Sequence, residues 1–316
     1  MTITVVMPIY NGERFLRPAI ESVIGQSFQD FELLAVDDGS TDSSRQILDA
    51  FRAEDKRVKV IYQPHLGYAA ALNTGIDKAS HDLIAMMDAD DLMMPNRLER
   101  QLSFMTSHPR ASVVCSYAYL IDIKGKIIGT SQNDVDVERG IAERDPTLFS
   151  EIVNPSVLMR RRDIIKVGGY RETFIFAPDR DLWTRLATSG YSIKCQPEFL
   201  LGYRLHLGAL SAGTMHRNAL FATYSNVNFV RRLRGEAELA FNEFLRQRSQ
   251  RPLGRRLNEW RIWTALMYYK RATRYRGERR WIGCAGSFAI AVSLAPSYVI
   301  KRTWLKSRAD QPNCLT

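Results

Sequence analysis

The chain has 316 residues, of which 45% are hydrophobic and 25% charged, a composition typical of a globular protein and not of a disordered or fibrous chain. The formal net charge is +10, but residues 217–316 carry 20 Lys and Arg against 6 Asp and Glu, which leaves 24 against 28 in residues 1–216. We therefore expect the C-terminal region, and not the body of the chain, to meet an anionic partner.

The first predicted elements repeat a strand, a turn and a helix. Residues 3–9 predict a strand that ends at Tyr10, and residues 13–24 predict an amphipathic helix with one apolar face. Residues 31–36 predict a second strand, which runs into Asp37 and Asp38, a glycine turn and a Ser/Thr/Asp cluster that can cap the next helix.

A third strand end carries Asp88, Asp90 and Asp91, directly after the apolar run of residues 83–87. Open α/β sheets bind ligands at the carboxyl ends of their strands, and crowded carboxylates repel one another unless a cation lies among them. Hard oxygen ligands that leave room for phosphate oxygens suit Mg²⁺ or Mn²⁺. The alternative is a polar loop whose acids are only solvated. Because the neighbouring turns carry Tyr10 and Asp38, the pattern favours a nucleotide site.

The rest of the chain changes character near residue 215. Before that point strands and helices alternate, and residues 131–147 predict a mobile loop beside the active site because they are polar and lack a period. The predicted elements are strands at 57–62, 111–123, 127–129, 157–159, 191–195 and 199–205, and helices at 68–79, 95–107 and 181–188. Beyond His216 the pattern is helical, at 218–234, 236–250 and 257–275, followed by an apolar segment at 281–300.

Four motifs together resemble the inverting GT-A glycosyltransferases of glycosyltransferase family 2. They are residues 8–11 (PIYN), 36–42 (VDDGSTD), 88–91 (DADD) and 179–185 (DRDLWTR). The resemblance covers roughly residues 1 to 210 and implies an α/β fold with a Rossmann-like mixed sheet. We expect a catalytic domain at residues 1–215 and a basic, mostly helical region at 216–316.

The resemblance also implies roles for single residues. Asp90 would contact a divalent metal ion, Mg²⁺ or Mn²⁺, and Asp88 would bind the ribose, the metal or a bridging water. Asp91 would organise the following turn. On the nucleotide side, Tyr10 would stack on the base and Asp38 would accept the N3–H of uracil or thymine, in a pocket that Pro8 shapes.

Asp179 is the expected general base for the acceptor hydroxyl. Asp181, two residues later, is expected at or beyond a helix start, where capping and the helix dipole favour an acid without any catalytic role. The chain departs from the family pattern at Pro178, where Glu is usual, and at Leu72, where Arg is usual. Another cation should then face the phosphates, and Arg204 and His206 resemble the family's closing motif. For His206 a structural role is the alternative.

The expected partners follow from the motifs and the basic region. We expect a nucleotide-sugar donor, a lipid-linked saccharide or polysaccharide acceptor, and an anionic membrane surface that meets the C-terminal region. Residues 281–300 could reach about 30 Å as a helix, but their small residues favour an interfacial or buried helix over a membrane span. No nucleic-acid-binding fold is recognisable.

The N-terminus and the cysteines indicate the cellular compartment, and two alternative functions stay open. No signal peptide precedes the first strand, and the four cysteines show no metal or redox spacing, so we expect a cytoplasmic protein, peripheral at the inner face of the cell membrane. One rival is a nucleotidyltransferase on a related fold, although its glycine- and lysine-rich loop is missing after the first strand. A dinucleotide-dependent oxidoreductase would need G-x-G-x-x-G there. The other rival is an inactive scaffold that binds nucleotide or glycan.

Overall fold

The computed structural model describes residues 1–132, 137–149, 152–209, 214–297 and 299. Its described strands form one mixed sheet of nine strands, in the order β3-β2-β1-β4-β8-β6-β9-β5 with β7 paired to β6. The strands are β1 Ile3–Ile9, β2 Phe31–Asp37, β3 Val58–Tyr62, β4 Leu83–Met86, β5 Leu92–Met93, β6 Ala111–Ile121, β7 Ile127–Ser131, β8 Leu158–Arg160 and β9 Ser192–Arg204.

Helices follow most of these strands and continue alone beyond β9. They are α1 Glu13–Ile24, α2 Ser44–Glu54, α3 Tyr68–Lys78, α4 Arg97–Ser107, α5 Val137–Ala142, α6 Arg161–Lys166, α7 Pro178–Thr188, α8 Met215–Leu233, α9 Phe241–Ser249, α10 Leu253–Gly277 and α11 Trp281–Leu294. The α/β fold with a helical C-terminal region that the sequence predicts is confirmed.

The parallel part of the sheet has a reversal of strand order beside β1. Strand β1 pairs in parallel with β2 on one side and with β4 on the other, whereas β3 lies beyond β2. Every residue of β1 and β2 is buried, as expected for parallel strands covered on both faces. A reversal of this kind leaves a crevice at the carboxyl ends of the strands, where such sheets bind ligands.

Several predicted boundaries are wrong. The expected loop at 131–147 contains α5 and a 3₁₀ turn at Pro146–Phe149, although residues 133–136 lie outside the described part of the chain. The strands expected at 191–195 and 199–205 are the single strand β9. Residues 92–93, expected to lead into a helix, form the short strand β5 because they pair with Leu201 and Gly202 of β9. Pairing with a distant strand leaves no local trace in the sequence.

The chain divides into two compact units. The first unit is Met1–Tyr119 with Ser131–Tyr203, and the second is Leu120–Thr130 with Arg204–Thr316. The boundary at residue 215, suggested by composition, stays a prediction, because this division starts the second unit's main segment at Arg204 and adds a hairpin from the middle of the chain.

The second unit joins that hairpin to the basic helices. Asp122 is buried and accepts a 2.9 Å hydrogen bond from Nε of Arg279, and Arg276 donates to the carbonyl oxygen of Ile128 at 2.7 Å. Helix α11 has 14 residues and ends at Leu294, whose carbonyl oxygen accepts a hydrogen bond from Arg261 of α10. Among the described residues, no helix has the length and apolarity that a membrane crossing requires.

Glu32 connects the elements at the opposite end of the parallel strands. It is 5% exposed, and its carboxylate accepts hydrogen bonds from Thr4 of β1 at 2.7 Å, from Lys59 of β3 at 2.5 Å and from the Ser80 amide at 2.8 Å. Burial acts to raise the pKa of Glu32, but the bonds from Lys59, Thr4 and Ser80 outweigh it and lower the pKa to about 2.

We predict that Glu32→Gln lowers the free energy of unfolding at pH 7 by about 1.5–3 kcal/mol, the range for hydrogen bonds to a charged group. A depressed carboxyl pKa stabilises the fold above the unfolded-state value near 4.5, and this contribution is lost as the pH falls through about 2. The difference from wild type should therefore shrink on acidification, as measured by urea unfolding between pH 7 and pH 2.5.

Glu21→Gln is the matched control, because Glu21 forms only an exposed pair with Arg17 at 3.9 Å. Such pairs contribute about 0–1 kcal/mol. Equal losses in the two variants would show that Glu32 does not hold the strands together.

Candidate functional site

Three carboxylates meet just beyond the carboxyl end of β4. One ligand oxygen from each of Asp88, Asp90 and Asp91 lies within 4.8 Å of the others. The chain reaches this point by continuing the sheet, since the amide of Met87 donates to the carbonyl oxygen of Val6 at 3.0 Å. The cluster therefore lies at the crevice beside β1, where the reversal of strand order predicts a ligand.

A buried arginine lies beneath this acid cluster. Arg97 is fully buried, and its guanidinium donates to the carbonyl oxygens of Met86 at 3.0 Å and Val157 at 3.2 Å. Burial lowers the pKa of Arg97 to about 9, opposed by the negative charges of Asp91 and Asp88. Three carboxylates held this close together repel one another, and a cluster of carboxylate oxygens suits a divalent cation.

Arg97 was missed by the sequence reasoning, although a signal exists. Arg97 and Gln101 lie four residues apart on the face of α4 that also buries Leu98 and Met105. An arginine on an apolar helix face needs buried acceptors, and Gln101 provides one of them at 2.9 Å through its side-chain oxygen. The negative charges of Asp91 and Asp88 on the neighbouring loop also favour a cation there.

A chain of hydrogen bonds holds the Asp88 carboxylate in place. The Tyr68 hydroxyl donates to Asp88 Oδ1 at 2.9 Å, Asn154 donates to the Tyr68 oxygen at 3.1 Å, and Tyr170 donates to Asn154 at 2.7 Å. Burial and the neighbouring Asp90 raise the pKa of Asp88 to about 7, while the bond from Tyr68 opposes the rise. The carboxyl group is therefore easier to ionise when a cation is present.

Tyr170 is fixed through its backbone. The side chain of Asn73 accepts from the Tyr170 amide at 2.9 Å and donates to its carbonyl oxygen at 2.7 Å. Gly169 has φ +62°, and a Cβ there would lie 2.8 Å from Asn73 Oδ1, so glycine is required for this approach.

Leu72, at the position of the missing family arginine, is fully buried. Tyr68, Asn154 and Tyr170 gave no sequence signal because their bonds link distant segments.

Asp179 lies in the first turn of α7 and close to the acid cluster. Its negative charge helps to raise the pKa values of Asp88, Tyr68 and Tyr170. Ala177 caps the helix in the left-handed region, with φ 52° and ψ 47°, and Pro178 occupies the first helical turn. The first turn of a helix favours a negative charge, so the chain brings an ionisable carboxylate towards the crevice.

Asp181 has a structural role. It is fully buried and pairs with Nε of Arg185 at 2.7 Å, while Arg171 lies at 3.7 Å. Arg185 also donates to the carbonyl oxygen of Gly169 at 2.6 Å. The helix predicted at 181–188 begins earlier, at Pro178, so Asp181 lies in its first turn, beyond the helix start as expected.

The nucleotide-side residues end the neighbouring strands. Pro8 is buried within β1, Tyr10 follows that strand with 48% of its surface exposed, and Asp38 is 2% exposed after β2. The amide of Asp38 donates to the carbonyl oxygen of Ile9 at 2.8 Å, which keeps the two strand ends together. Asp37 braces the turn by accepting from the Ser40 amide at 3.3 Å.

The Ser/Thr/Asp cluster after β2 ties this turn to the turn after β1. Asp42 accepts from the Glu13 amide at 3.0 Å and from the Ser44 amide at 2.9 Å, so one carboxylate serves the first residues of both α1 and α2. Ser44 accepts from the Gly12 amide at 2.9 Å. The cluster therefore does more than bond to the start of α2, as predicted. It also joins the turn that carries Tyr10 to the turn that carries Asp38.

Arg204 and His206 belong to the second unit. Both are buried, and Arg204 donates to the carbonyl oxygen of Asp122 at 2.9 Å within that unit. Their expected contact with the donor phosphates stays a prediction. In the first unit the structure brings together Asp88, Asp90, Asp91 and Asp179.

Comparison with known proteins decides the family. Residues 4–168 match the family described as Glycosyl transferase family 2. The chain belongs to glycosyl transferase family 2. The expected enzyme class, a glycosyltransferase, is confirmed at this level. The motifs at 8–11, 36–42 and 88–91 lie within the matched residues, whereas the motif at 179–185 lies beyond them.

Similar curated proteins come from distant organisms. An uncharacterized glycosyltransferase of Haemophilus influenzae is 40% identical over 41% of this chain and 53% of its own length. One of Methanocaldococcus jannaschii is 31% identical over 64% of this chain and 70% of its own. The amylovoran biosynthesis glycosyltransferase AmsE of Erwinia amylovora is 28% identical over 64% of this chain and 75% of its own length. The chain thus spans about half to three quarters of these relatives.

Solved structures share the fold at low identity. TarS 1-349 of S. aureus in complex with UDP-GlcNAc superposes with a TM-score of 0.59 and 16% identity, over 94% of this chain and 91% of that chain. The mannosyltransferase PcManGT of Pyrobaculum calidifontis, in complex with GDP-Man and Mn²⁺, superposes with a TM-score of 0.56 and 15% identity, over 96% of this chain and 79% of that chain. The family 2 fold is confirmed by these neighbours.

We predict that Asp90→Asn weakens Mn²⁺ binding at least about tenfold in the absence of donor, since asparagine keeps the shape of the side chain but removes one of the charges that attract the cation. Isothermal titration or the electron paramagnetic resonance signal of free Mn²⁺ measures the affinity.

Asp82→Asn is the matched control for Asp90→Asn. Asp82 is an exposed acid at the other end of β4, where it accepts from the Arg162 amide at 3.1 Å. This variant should bind Mn²⁺ like wild type. Unchanged binding in Asp90→Asn would remove the cation from the acid cluster.

Proposed function

We propose that the chain is a metal-dependent inverting glycosyltransferase that uses a UDP- or dTDP-linked sugar and a lipid-linked or polysaccharide acceptor. One observation carries the proposal. The acid cluster lies at the reversal of strand order, with Asp179 close to it and with Tyr10 and Asp38 at the two neighbouring strand ends. These are the groups that leaving-group stabilisation, proton removal and base recognition require.

Asp90 and Asp88 would hold the cation, Mg²⁺ or Mn²⁺. The three crowded carboxylates and the all-oxygen donor set fit a hard divalent ion. When bound, this ion supplies positive charge to the diphosphate that leaves the sugar. The hydrogen bond from Tyr68 fixes the orientation of Asp88, and buried Arg97 keeps the loop of three acids close to the strand end.

Asp179 would take the proton from the acceptor hydroxyl. Its place in the first turn of α7 favours the ionised carboxylate that a base requires. The salt bridge between Asp181 and Arg185 holds this helix against the segment that carries Gly169. Asp181 thus acts as a positioning residue. The nucleotide base would stack on Tyr10 and donate an N–H to Asp38, which favours uracil or thymine over adenine.

The acceptor class rests on the relatives and on the second unit. A relative of Erwinia amylovora is named for amylovoran biosynthesis, and TarS has been solved with UDP-GlcNAc. We propose that the chain acts in cell-surface glycan synthesis, at the cytoplasmic face of the membrane and in contact with anionic lipid.

A donor panel tests the proposal directly. We expect release of nucleoside diphosphate from UDP- or dTDP-sugars with Mg²⁺ or Mn²⁺, and loss of release with EDTA. Asp179→Asn should keep donor affinity and lower transfer by about a hundredfold or more, because a general base contributes about that factor.

Glu172→Gln controls for the lost charge in the Asp179 experiment, since Glu172 is an exposed acid just before α7. It should transfer sugar like wild type. Donor binding without release from any sugar would favour the inactive scaffold instead. Full transfer by Asp179→Asn would assign the proton to another group.

The first turns of α10, in the second unit, expose apolar and basic side chains that fit a membrane surface. Leu253, Leu257 and Trp260 are 66%, 56% and 55% exposed and lie at helical spacing on α10. Arg255 and Arg256 are exposed in the same turns of the helix. Apolar side chains beside cations are typical of helices that lie on anionic bilayers.

We predict that the protein co-sediments with vesicles containing phosphatidylglycerol, and that Arg255→Glu combined with Arg256→Glu weakens this binding about thirtyfold. Each cation near an anionic surface contributes about 1 kcal/mol, so the loss of two gives this factor before the added repulsion. High salt should weaken wild-type binding in the same way.

The combined variant Arg45→Glu and Arg52→Glu makes the same charge change on α2 and should bind vesicles like wild type. Equal losses in the two double variants would show a general charge effect. Truncation at residue 216 is a poor test, because Asp122 of the remaining hairpin would lose its partner Arg279.

A further inference from the structure

The carboxylate of Asp38 is already fully engaged by its own chain. Its Oδ1 accepts from the side chain of Gln63 at 2.7 Å and from the Leu66 amide at 2.9 Å. Its Oδ2 accepts from the Gly67 amide at 2.9 Å and lies 2.8 Å from Nδ1 of His65. A carboxylate offers about four lone-pair positions, so an additional N–H donor must replace one of these partners.

His65 is the partner best able to leave. Two of the other bonds come from backbone amides, which move only with the whole loop, whereas the His65 side chain is 54% exposed. Its Nδ1 also lies 3.1 Å from the carbonyl oxygen of Asp38. Both neighbours are acceptors, so Nδ1 carries the proton and acts as the donor.

The same imidazole is stacked on Tyr10. The two ring centroids are 4.1 Å apart, and the planes are inclined by 21°. The approach depends on Gly39, which has φ +75° and where a Cβ would lie 2.8 Å from the backbone nitrogen of His65. His65 is thus a flat N–H-bearing heterocycle that stacks on Tyr10 and donates to Asp38, the two contacts assigned above to the nucleotide base.

We propose that His65 occupies the nucleobase position of the free protein and sets nucleotide affinity by competing with the incoming base. This inference rests on the proposed function, because it takes the base contacts from it. The imidazole leaves Tyr10 and Asp38 when the base binds, and the N3–H of uracil or thymine restores the hydrogen bond that His65 gives up. A ligand without a base never meets this competition.

His65→Ala tests the competition through equilibrium binding. We expect the variant to bind UDP about tenfold more tightly than wild type, the factor for removing one competing hydrogen bond to a charged group. Pyrophosphate, measured by the same titration at equal Mn²⁺, should bind both proteins equally because it lacks a base. His108→Ala is the matched control, since His108 stacks on Phe104 at 4.2 Å in a similar geometry.

Nuclear magnetic resonance of the wild-type protein gives a second readout that a purely structural role of His65 would not move. With histidines labelled, the ring signals of His65 should lose the shift caused by Tyr10 when UDP is added, while those of His108 stay unchanged. Pyrophosphate should leave both sets of signals in place. The spectrum reports displacement even if the substitution loosens the loop.

The outcomes separate this inference from the proposed function. If wild type binds UDP but His65→Ala binds it equally or more weakly, and the His65 signals do not move, then His65 is not a competitor and the proposed function survives. If neither protein binds UDP or any other nucleotide, the proposed function fails and this inference fails with it.

Discussion

The concentration of negative charge beyond β4 is the constraint on which the site depends. One ligand oxygen from each of Asp88, Asp90 and Asp91 lies within 4.8 Å of the others, and the positive charge of buried Arg97 offsets Asp88 and Asp91. Repulsion among carboxylates destabilises such an arrangement unless hydrogen bonds and cations compensate. The hydrogen bond from Tyr68 to Asp88 offsets part of this repulsion. A bound divalent cation would offset the rest.

Hydrogen bonds between strand ends keep this charge close to Tyr10 and Asp38, which follow the neighbouring strands. Asp42 bonds to the first amides of α1 and α2, and Asp38 bonds to the loop before α3. Asp179 arrives from a distant segment, on a helix held by the pair of Asp181 and Arg185. Asp38 and the helix that carries Asp179 are thus held by hydrogen bonds and ion pairs from neighbouring groups, which is how precise geometry is maintained on loops.

Sequence patterns were reliable where a helix or strand is determined by residues close together in the chain. The face of α1 was predicted because apolar residues recur with the helical period, and the three strand ends were predicted because short apolar runs lead into acids or turns. The patterns failed where the cause was remote. Strand β5 exists because β9 pairs with it, and residues 131–147 looked structureless although α5 forms there.

By itself the sequence determined the α/β class, the family motifs and the positions of Tyr10, Asp38, Asp88, Asp90 and Asp179, because motif spacing and periodicity are properties of the chain. Only the tertiary structure decided how these residues are partnered. Arg97 beneath the acids and His65 between Tyr10 and Asp38 are contacts between segments that are separate in sequence. The structural role of Asp181 was decided in the same way, since Asp181 is buried beside Arg185. Burial and ion pairing depend on what packs around a side chain, and no local pattern records it.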